Sequence, residues 1–224
     1  IMDLIALGRI SENFIEPSFE LVQTWNDYWN AIMPVGHRST MAHPFPRLKT
    51  DGFWHLVANP GFDASADYNV TSMIKCREIY AGASLDDELS QYLCSPETRE
   101  QLRSVLIRTY FIAEVQPAVW EQGVVNVGSY EYEKELLISV KEPGFQIEDS
   151  GDDKKRRIRD QGFRKAIVRL YDHRCALCGI RMLTAEGHTV VEAAHIVPWS
   201  ESHDDLPSNG LCLCRLCHWS FDEG

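Results

Sequence analysis

The 224-residue chain has no run of 18 apolar residues, no secretory leader and no lipidation motif. A bilayer-spanning helix needs about 20 such residues, so no membrane partner is expected and the chain reads as a soluble, cytoplasmic protein. Neither an internal repeat nor a long low-complexity tract is present, which sets aside solenoid architectures. A basic excess is missing as well: the net charge is −11, which at first argues against a polyanionic partner. Nor do the seven cysteines make a disulfide framework. Four sit in CxxC pairs, while Cys76, Cys94 and Cys212 are scattered; a metal held in a reducing compartment accounts for that pattern better.

What is present is concentrated at the C-terminal end. Cys175 and Cys178 are followed by Cys214 and Cys217, with 35 residues between Cys178 and Cys214. Thiolates are the ligands structural zinc prefers, and a two-residue gap lets both sulfurs of a pair reach one ion. The spacing therefore predicts a four-cysteine zinc site. Between and beside the pairs lie Ala194-His195-Ile196, Asn209 and His218, polar residues of the kind a hydrolytic site requires.

Charge is unevenly divided. Residues 1–150 carry 11 basic and 22 acidic side chains, and residues 151–224 carry 11 of each. The stretch 154–169 holds eight bases (Lys154, Lys155, Arg156, Arg157, Arg159, Arg164, Lys165, Arg169) against Asp160 alone. Such a stripe suits a phosphate-binding track, with a solvated linker and helix face as the alternative. With 44% hydrophobic content the chain has enough apolar material for one large or two small domains.

Periodicity outlines the elements. A short apolar helix ends at Gly8; Ser18 caps a second, with Val22, Trp25, Trp29 and Ile32 at helical spacing. Residues 37–49 read as a loop, 53–58 as a strand closed by Asn59-Pro60-Gly61. Ser84 is expected to precede a short helix through Leu85, Leu89 and Leu93. Ser95-Pro96-Glu97 opens another, with Leu102, Val105, Leu106 and Ile112 on its buried side. The pattern weakens over 121–153, apart from a strand-like run at 136–140, and 149–153 is the expected boundary. Beyond it come a helix facing inward through Phe163, Ile167, Leu170 and Tyr171, a strand at 190–197, a tight Asn209-Gly210 turn, a return strand at 211–213, and a helix from Arg215 that carries His218 back over the hairpin. Cys212 should face away from the zinc cysteines, into the core. The chain starts at Ile1 and stops at Gly224, and both ends are expected to be cut.

Residues 163–224 resemble the HNH endonuclease family, whose motif letters fall on His195, Asn209 and His218. The resemblance implies that His195 activates water as general base, that Asn209 braces the hairpin loop and so orients that histidine, and that His218 helps hold a divalent metal on the scissile phosphate. An ordinary imidazole pKa of about 6.5 suits such a base, and charge developing on the phosphate calls for a Lewis acid. Oxygen-rich phosphate sites favour hard cations, so Mg²⁺ or Mn²⁺ is expected there, distinct from the zinc. Many relatives carry an Asp or His metal ligand where this chain has Ala194. Asp222, four residues after His218, is the expected substitute; Glu192 is another, unless it pairs with a nearby base. In isolation, His195 could be structural and His218 a substitute zinc ligand.

A second resemblance covers residues 1 to about 123. Phe45-Pro46-Arg47-Leu48-Lys49-Thr50-Asp51-Gly52-Phe53-Trp54-His55-Leu56-Val57, preceded by Asn26-Asp27-Tyr28-Trp29, resembles the N-terminal domain of phosphorothioate-dependent (type IV) restriction endonucleases, in which a sulfur-binding domain precedes an HNH module. Sulfur in place of a non-bridging oxygen is larger and a poorer acceptor, so a reader should offer it a shallow apolar pocket ringed by positive charge. The resemblance points to His37, Arg38, Pro44, Phe45, Pro46, Arg47 and Lys49, with Tyr80-Ala81 as a second wall, while Lys155, Arg156 and Arg157 would follow the backbone.

The expected architecture is α+β. It has a mixed α/β DNA-reader domain (1–123), a linker with one strand-like run and a basic end (124–157), and a zinc-stapled ββα-metal, treble-clef-like HNH domain (158–224). The expected partner is phosphorothioate-modified double-stranded DNA, cut by a homodimer if both strands are nicked. Rival readings keep the nuclease but give the reader another mark, such as methylated cytosine, or sequence-specific DNA, or leave a non-catalytic zinc module that only binds DNA or a protein partner.

Overall fold

A computed structural model describes residues 1–140 and 153–223. The chain forms two compact units. One is Ile1–Gly123 with Ala185–Gly187, the other Val124–Thr184 with His188–Gly224. Helices and strands are mixed. Of the expected boundary at 149–153, residues 149–152 lie outside the described residues.

The first unit is built from α1 (Met2–Ala6), α2 (Phe19–Ile32), α3 (Pro44–Arg47), β1 (Trp54–Ala58), α4 (Met73–Ile79), β2 (Tyr80–Leu85), α5 (Asp87–Cys94) and α6 (Pro96–Tyr110). Local signals set several ends. Ser18 caps α2 through its hydroxyl, which accepts from the Leu21 amide, and Pro96 occupies the first turn of α6, where no amide hydrogen is needed. β1 and β2 pair antiparallel with Trp54 opposite Leu85 and a shift of register between Val57 and Ala58. Trp54, Tyr80, Ala83 and Leu85 are all buried, so this two-stranded ribbon is the inner wall of the unit.

Several sequence expectations need correcting here. Residues 44–47 are helical rather than loop, running into a 3-10 turn at Leu48–Asp51. Ser84 lies within β2, and Asp86 stands at the N-cap of α5. A strand of Tyr-Ala-Gly-Ala-Ser-Leu carries little β-branched material, so its propensity hid it. On α6 the buried residues are Arg99 and Ile107, while Val105, Leu106 and Ile112 are exposed. The Arg99 guanidinium is buried because it donates to the Leu93 and Cys94 carbonyls at the end of α5.

In the second unit α7 (Gln116–Ser139), from Val124 onward, packs with α8 (Asp153–Leu170), β3 (Val191–His195), α9 (Trp199–Ser202), β4 (Gly210–Cys214) and α10 (Arg215–Glu223). The strand-like run at 136–140 is instead the end of α7. Its inward face, Val125, Ser129, Tyr132 and Leu136, has helical spacing but is interleaved with buried Asn126 and Glu133. That polar content erases the hydrophobic period on which a helix is recognised. Glycine lets α8 come close to its neighbours. A Cβ on Gly162 would lie 2.7 Å from the Tyr132 ring and 2.8 Å from the Ser129 carbonyl, and one on Gly210 would collide with Ile167. Around these close approaches Phe163, Ala166, Ile167, Val191, Ala194, Cys212 and Leu213 form one core. Leu170, expected on the buried face, is exposed. β3 and β4 pair antiparallel, His195 opposite Gly210.

Candidate active site and metal centre

The four cysteines of the two pairs converge. Cys175 and Cys178 sit on a tight turn in which Gly179 donates to the Cys175 carbonyl and takes φ 74°, a left-handed value that suits glycine. Cys214 ends β4 and Cys217 lies in the first turn of α10. All four sulfurs lie within 4.8 Å of one another, Cys178 and Cys214 at 3.7 Å. Tetrahedral zinc with bonds of about 2.3 Å places its sulfurs about 3.8 Å apart, so the donor set and its size fit that ion. Burial pushes the Cys175 thiol up, but amide hydrogen bonds from Cys178, Cys214 and Leu177 outweigh it and hold it at about 6. Cys217, bonded to the Cys214 thiol and partly desolvated, is pushed up to about 12. Thiols this close resist a second ionisation unless a cation offsets the charge, and a coordinating metal supplies that charge. Cys212 is fully buried on the other face of β4, and burial raises its thiol to about 11.

His195 ends β3. Its ring lies flat on Phe163 of α8, centroids 4.0 Å apart and planes 1° from parallel. Nε2 is 2.7 Å from Oδ1 of Asp205. Asp205 is 2% exposed; its Oδ2 accepts from the Tyr132 hydroxyl at 2.7 Å and faces Arg159 Nε at 3.5 Å. Burial, then the bond to Asp205, drives the Tyr132 phenol above its ordinary range. Arg159 in turn lies 3.7 Å over the Trp199 ring.

Asn209 ends a 3-10 turn, Pro207–Asn209, immediately before β4. Its Oδ1 accepts from the Val197 amide at 2.8 Å. Its Nδ2 donates to the Val197 carbonyl at 3.0 Å and to the Asp204 carbonyl at 2.8 Å. The Asn209 carbonyl accepts from the Ile196 amide. The side chain thereby ties both ends of the 196–209 loop together, directly after His195.

α10 packs on both strands of the hairpin. Here His218 Nε2 is 3.7 Å from Asp222 Oδ2, and Nδ1 is 3.6 Å from Glu192 Oε2. Glu192 also lies 3.5 Å from Arg215. Because the two carboxylates flank opposite ring nitrogens, an ion on one nitrogen shares only one of them. His218 with Asp222 gives one nitrogen and one oxygen ligand, a partial set of the kind that hard cations complete with water and phosphate oxygen.

The basic stripe is only partly available. Lys155, Arg156 and Arg157 are exposed on the first turns of α8, Arg156 lying 3.8 Å from Asp160. Farther along, Arg159 turns to Asp205, Lys165 to Ser129, and Arg169 to Glu133. In the first unit His37, Arg38 and Arg47 are exposed and Pro44 is half-buried. Phe45, Pro46 and Tyr80, expected to touch the ligand, are buried. Phe45 is 3% exposed and meets Trp54 edge-on at 5.3 Å, and Tyr80 is 2% exposed on β2. An aromatic beside prolines reads as a surface wall in sequence, but the helical turn at Pro44–Arg47 rotates Phe45 into the core. Lys49 is also engaged, its Nζ 2.7 Å from Asp67 and within reach of the Ser65 and Ala66 carbonyls.

The sequence places Arg159 on the basic stripe and singles out neither Asp205 nor Tyr132 as a site residue. Asp204-Asp205 between His195 and Asn209 is a visible signal, yet nothing in it says which carboxylate turns inward. Tyr132 stands 63 positions before His195, on a helix whose period is masked.

With this geometry in view, the family model for HNH endonucleases matches residues 175–224. No curated protein matches the chain. The chain thus carries an HNH endonuclease domain at its C-terminal end, with a four-cysteine cluster able to hold zinc. α7 and α8, which supply Tyr132, Arg159 and Phe163, lie outside the matched stretch. Among the described residues no helix is long and apolar enough to cross a membrane.

Proposed function

We propose that the chain is a metal-dependent DNA endonuclease, and that residues 1–123 direct it to phosphorothioate-modified duplexes as a type IV restriction enzyme. The observation that carries the nuclease reading is His195, held at Nε2 by a buried carboxylate within a stretch that matches HNH endonucleases. In this reading His195 takes a proton from the attacking water. Asn209 fixes the loop that follows, so the imidazole keeps one orientation. His218 and Asp222 would hold Mg²⁺ or Mn²⁺, which when bound neutralises charge developing on the phosphate. Zinc on Cys175, Cys178, Cys214 and Cys217 would tie the turn at residues 175–179 to the hairpin and α10. Two cuts, one per strand, would be made by a homodimer.

The sulfur reading rests on the resemblance of residues 45–57 and on the order of reader before cutter. The exposure of His37, Arg38 and Arg47 supports it, since a modified phosphate still needs positive charge around it. With Phe45, Pro46 and Tyr80 inside, the apolar contact falls to the half-buried Pro44. The test uses the full chain carrying His195→Ala, zinc-loaded, with two duplexes identical except for one phosphorothioate, at one fixed salt concentration. Preference for the sulfur duplex supports the reader; equal affinity removes it. Cleavage by the wild-type chain that His195→Ala abolishes supports the nuclease, whereas cleavage that survives the substitution refutes the assignment.

A further inference from the structure

We propose that Asp205, anchored by Tyr132, is a positioning residue that decides which nitrogen of His195 carries the proton and leaves Nδ1 as the base. This deepens the nuclease reading and rests on it. A carboxylate only accepts hydrogen bonds, so the ring nitrogen 2.7 Å from Asp205 Oδ1 must be the one bearing hydrogen. A neutral imidazole with hydrogen on Nε2 has its lone pair on Nδ1. The ring is held in this orientation by the stack on Phe163 at 4.0 Å, by Asp205 at Nε2 and by its place in β3 opposite Gly210.

Asp205 is itself held from behind. Oδ2 receives the Tyr132 hydroxyl at 2.7 Å and faces Arg159 at 3.5 Å, while the whole side chain is 1% exposed. At that depth the carboxylate is shielded from bulk solvent, and each of its oxygens has a protein partner. In the step it serves, a water O–H bond breaks and that proton goes to Nδ1 as the oxygen bonds to phosphorus. The bond from phosphorus to the leaving oxygen breaks, the electron pair departs with that oxygen, and solvent supplies its proton. His195 then carries hydrogen on both nitrogens, with Nε2–H still on the Asp205 carboxylate, before Nδ1 returns its proton to water.

The arrangement makes an unusual demand on Asp205→Asn. The Tyr132 hydroxyl donates to the outer oxygen, and keeping that bond places the oxygen of the new amide there and its NH₂ toward His195. That NH₂ donates into Nε2, which forces the imidazole hydrogen onto Nδ1 and occupies the base nitrogen. A merely structural Asp205 would produce no such reversal.

The experiment is ¹⁵N NMR of the ring nitrogens in the zinc-loaded full chain, read on the alkaline plateau where the His195 signals no longer move with pH. Of the eight histidines, His195 is assigned by the signal that disappears in His195→Gln. The expected result is Nε2–H in the wild type and in Tyr132→Phe, and Nδ1–H in Asp205→Asn. Single-turnover cleavage in Asp205→Asn should fall about 10²–10⁴-fold with DNA affinity unchanged, as expected when a general base is held in the wrong tautomer. Tyr132→Phe should stay within about tenfold of wild type, since it removes one neutral donor. Nδ1–H in the wild type, or the same tautomer in wild type and Asp205→Asn, overturns the proposal. The wild-type tautomer is read without any substitution, so a variant that fails to fold does not shield it. A wild type that cuts no DNA would remove the nuclease reading, and the tautomer would still decide the role of Asp205.

Discussion

Asn209 takes up both backbone groups of Val197, accepting its amide at 2.8 Å and donating to its carbonyl at 3.0 Å. Two residues beyond His195, the chain is therefore held by a side chain twelve positions away rather than by a strand partner. The same amide reaches the Asp204 carbonyl, so one residue fixes the entry and the exit of the loop that also contains Asp205.

That bidentate grip makes Asn209→Asp more informative than truncation. The carboxylate keeps the acceptor for Val197 but sets a second oxygen against the Val197 and Asp204 carbonyls, removing two donors. Breaking buried bonds and leaving carbonyls unpaired costs about 2–4 kcal/mol. A drop in melting temperature, together with loss of cleavage, is the expected outcome; a melt and a rate equal to wild type would show that the loop holds itself.

Zinc should be inseparable from folding of residues 163–224. Structural zinc contributes about 10–16 kcal/mol in small modules, and the cysteine turn has only Cys175 buried among its pair. Chelation, or Cys214→Ser, is expected to release one zinc per chain and to diminish the far-UV CD of this region. Unchanged CD and melting after verified zinc loss would show that the core around Ile167 suffices alone.

The opposite placement of Glu192 and Asp222 on the His218 ring predicts unequal substitutions. If the divalent ion sits at Nε2, Asp222→Asn should raise the Mg²⁺ or Mn²⁺ concentration for half-maximal cleavage about 10–100-fold. Glu192→Gln should change it little. The reverse order would move the ion to Nδ1 and give Glu192 the place of the ligand missing at Ala194.

Among the basic residues of α8, those at its start should govern salt dependence. Replacing Lys155, Arg156 and Arg157 with Gln is expected to weaken DNA binding equally for all sequences. It should flatten the plot of log affinity against log salt by as much as about 0.9 for each phosphate that is no longer neutralised. Arg169→Gln should instead leave that slope alone and lower stability, because it strips the partner from Glu133, whose side chain is 4% exposed. A flattened slope in Arg169→Gln would put Arg169 on the DNA.

Much of the C-terminal unit was legible in sequence because its information is local. Cysteine spacing, the run from Cys214 to His218 and the Asn209-Gly210 pair each report on a few neighbouring residues, and the structure gathers the cysteines as that spacing requires. The first unit was less legible. β2 lacks β-branched residues, and Phe45 is turned inward by a helical turn that its prolines disguised.

The sequence by itself determined the chemistry on offer: four thiols able to enclose one ion, two histidines and an asparagine beside them, and a run of eight basic residues within 154–169. Those follow from residue type and short spacing, which folding cannot alter. Only the tertiary structure decided that Asp205 rather than Asp204 reaches Nε2 of His195, and that Tyr132 stands behind it. It also decided that Arg159 bonds Asp160 and faces Asp205. Such arrangements depend on how closely α7 and α8 pack through Gly162 and on the register of β3 with β4, and neither is encoded by any single stretch of chain.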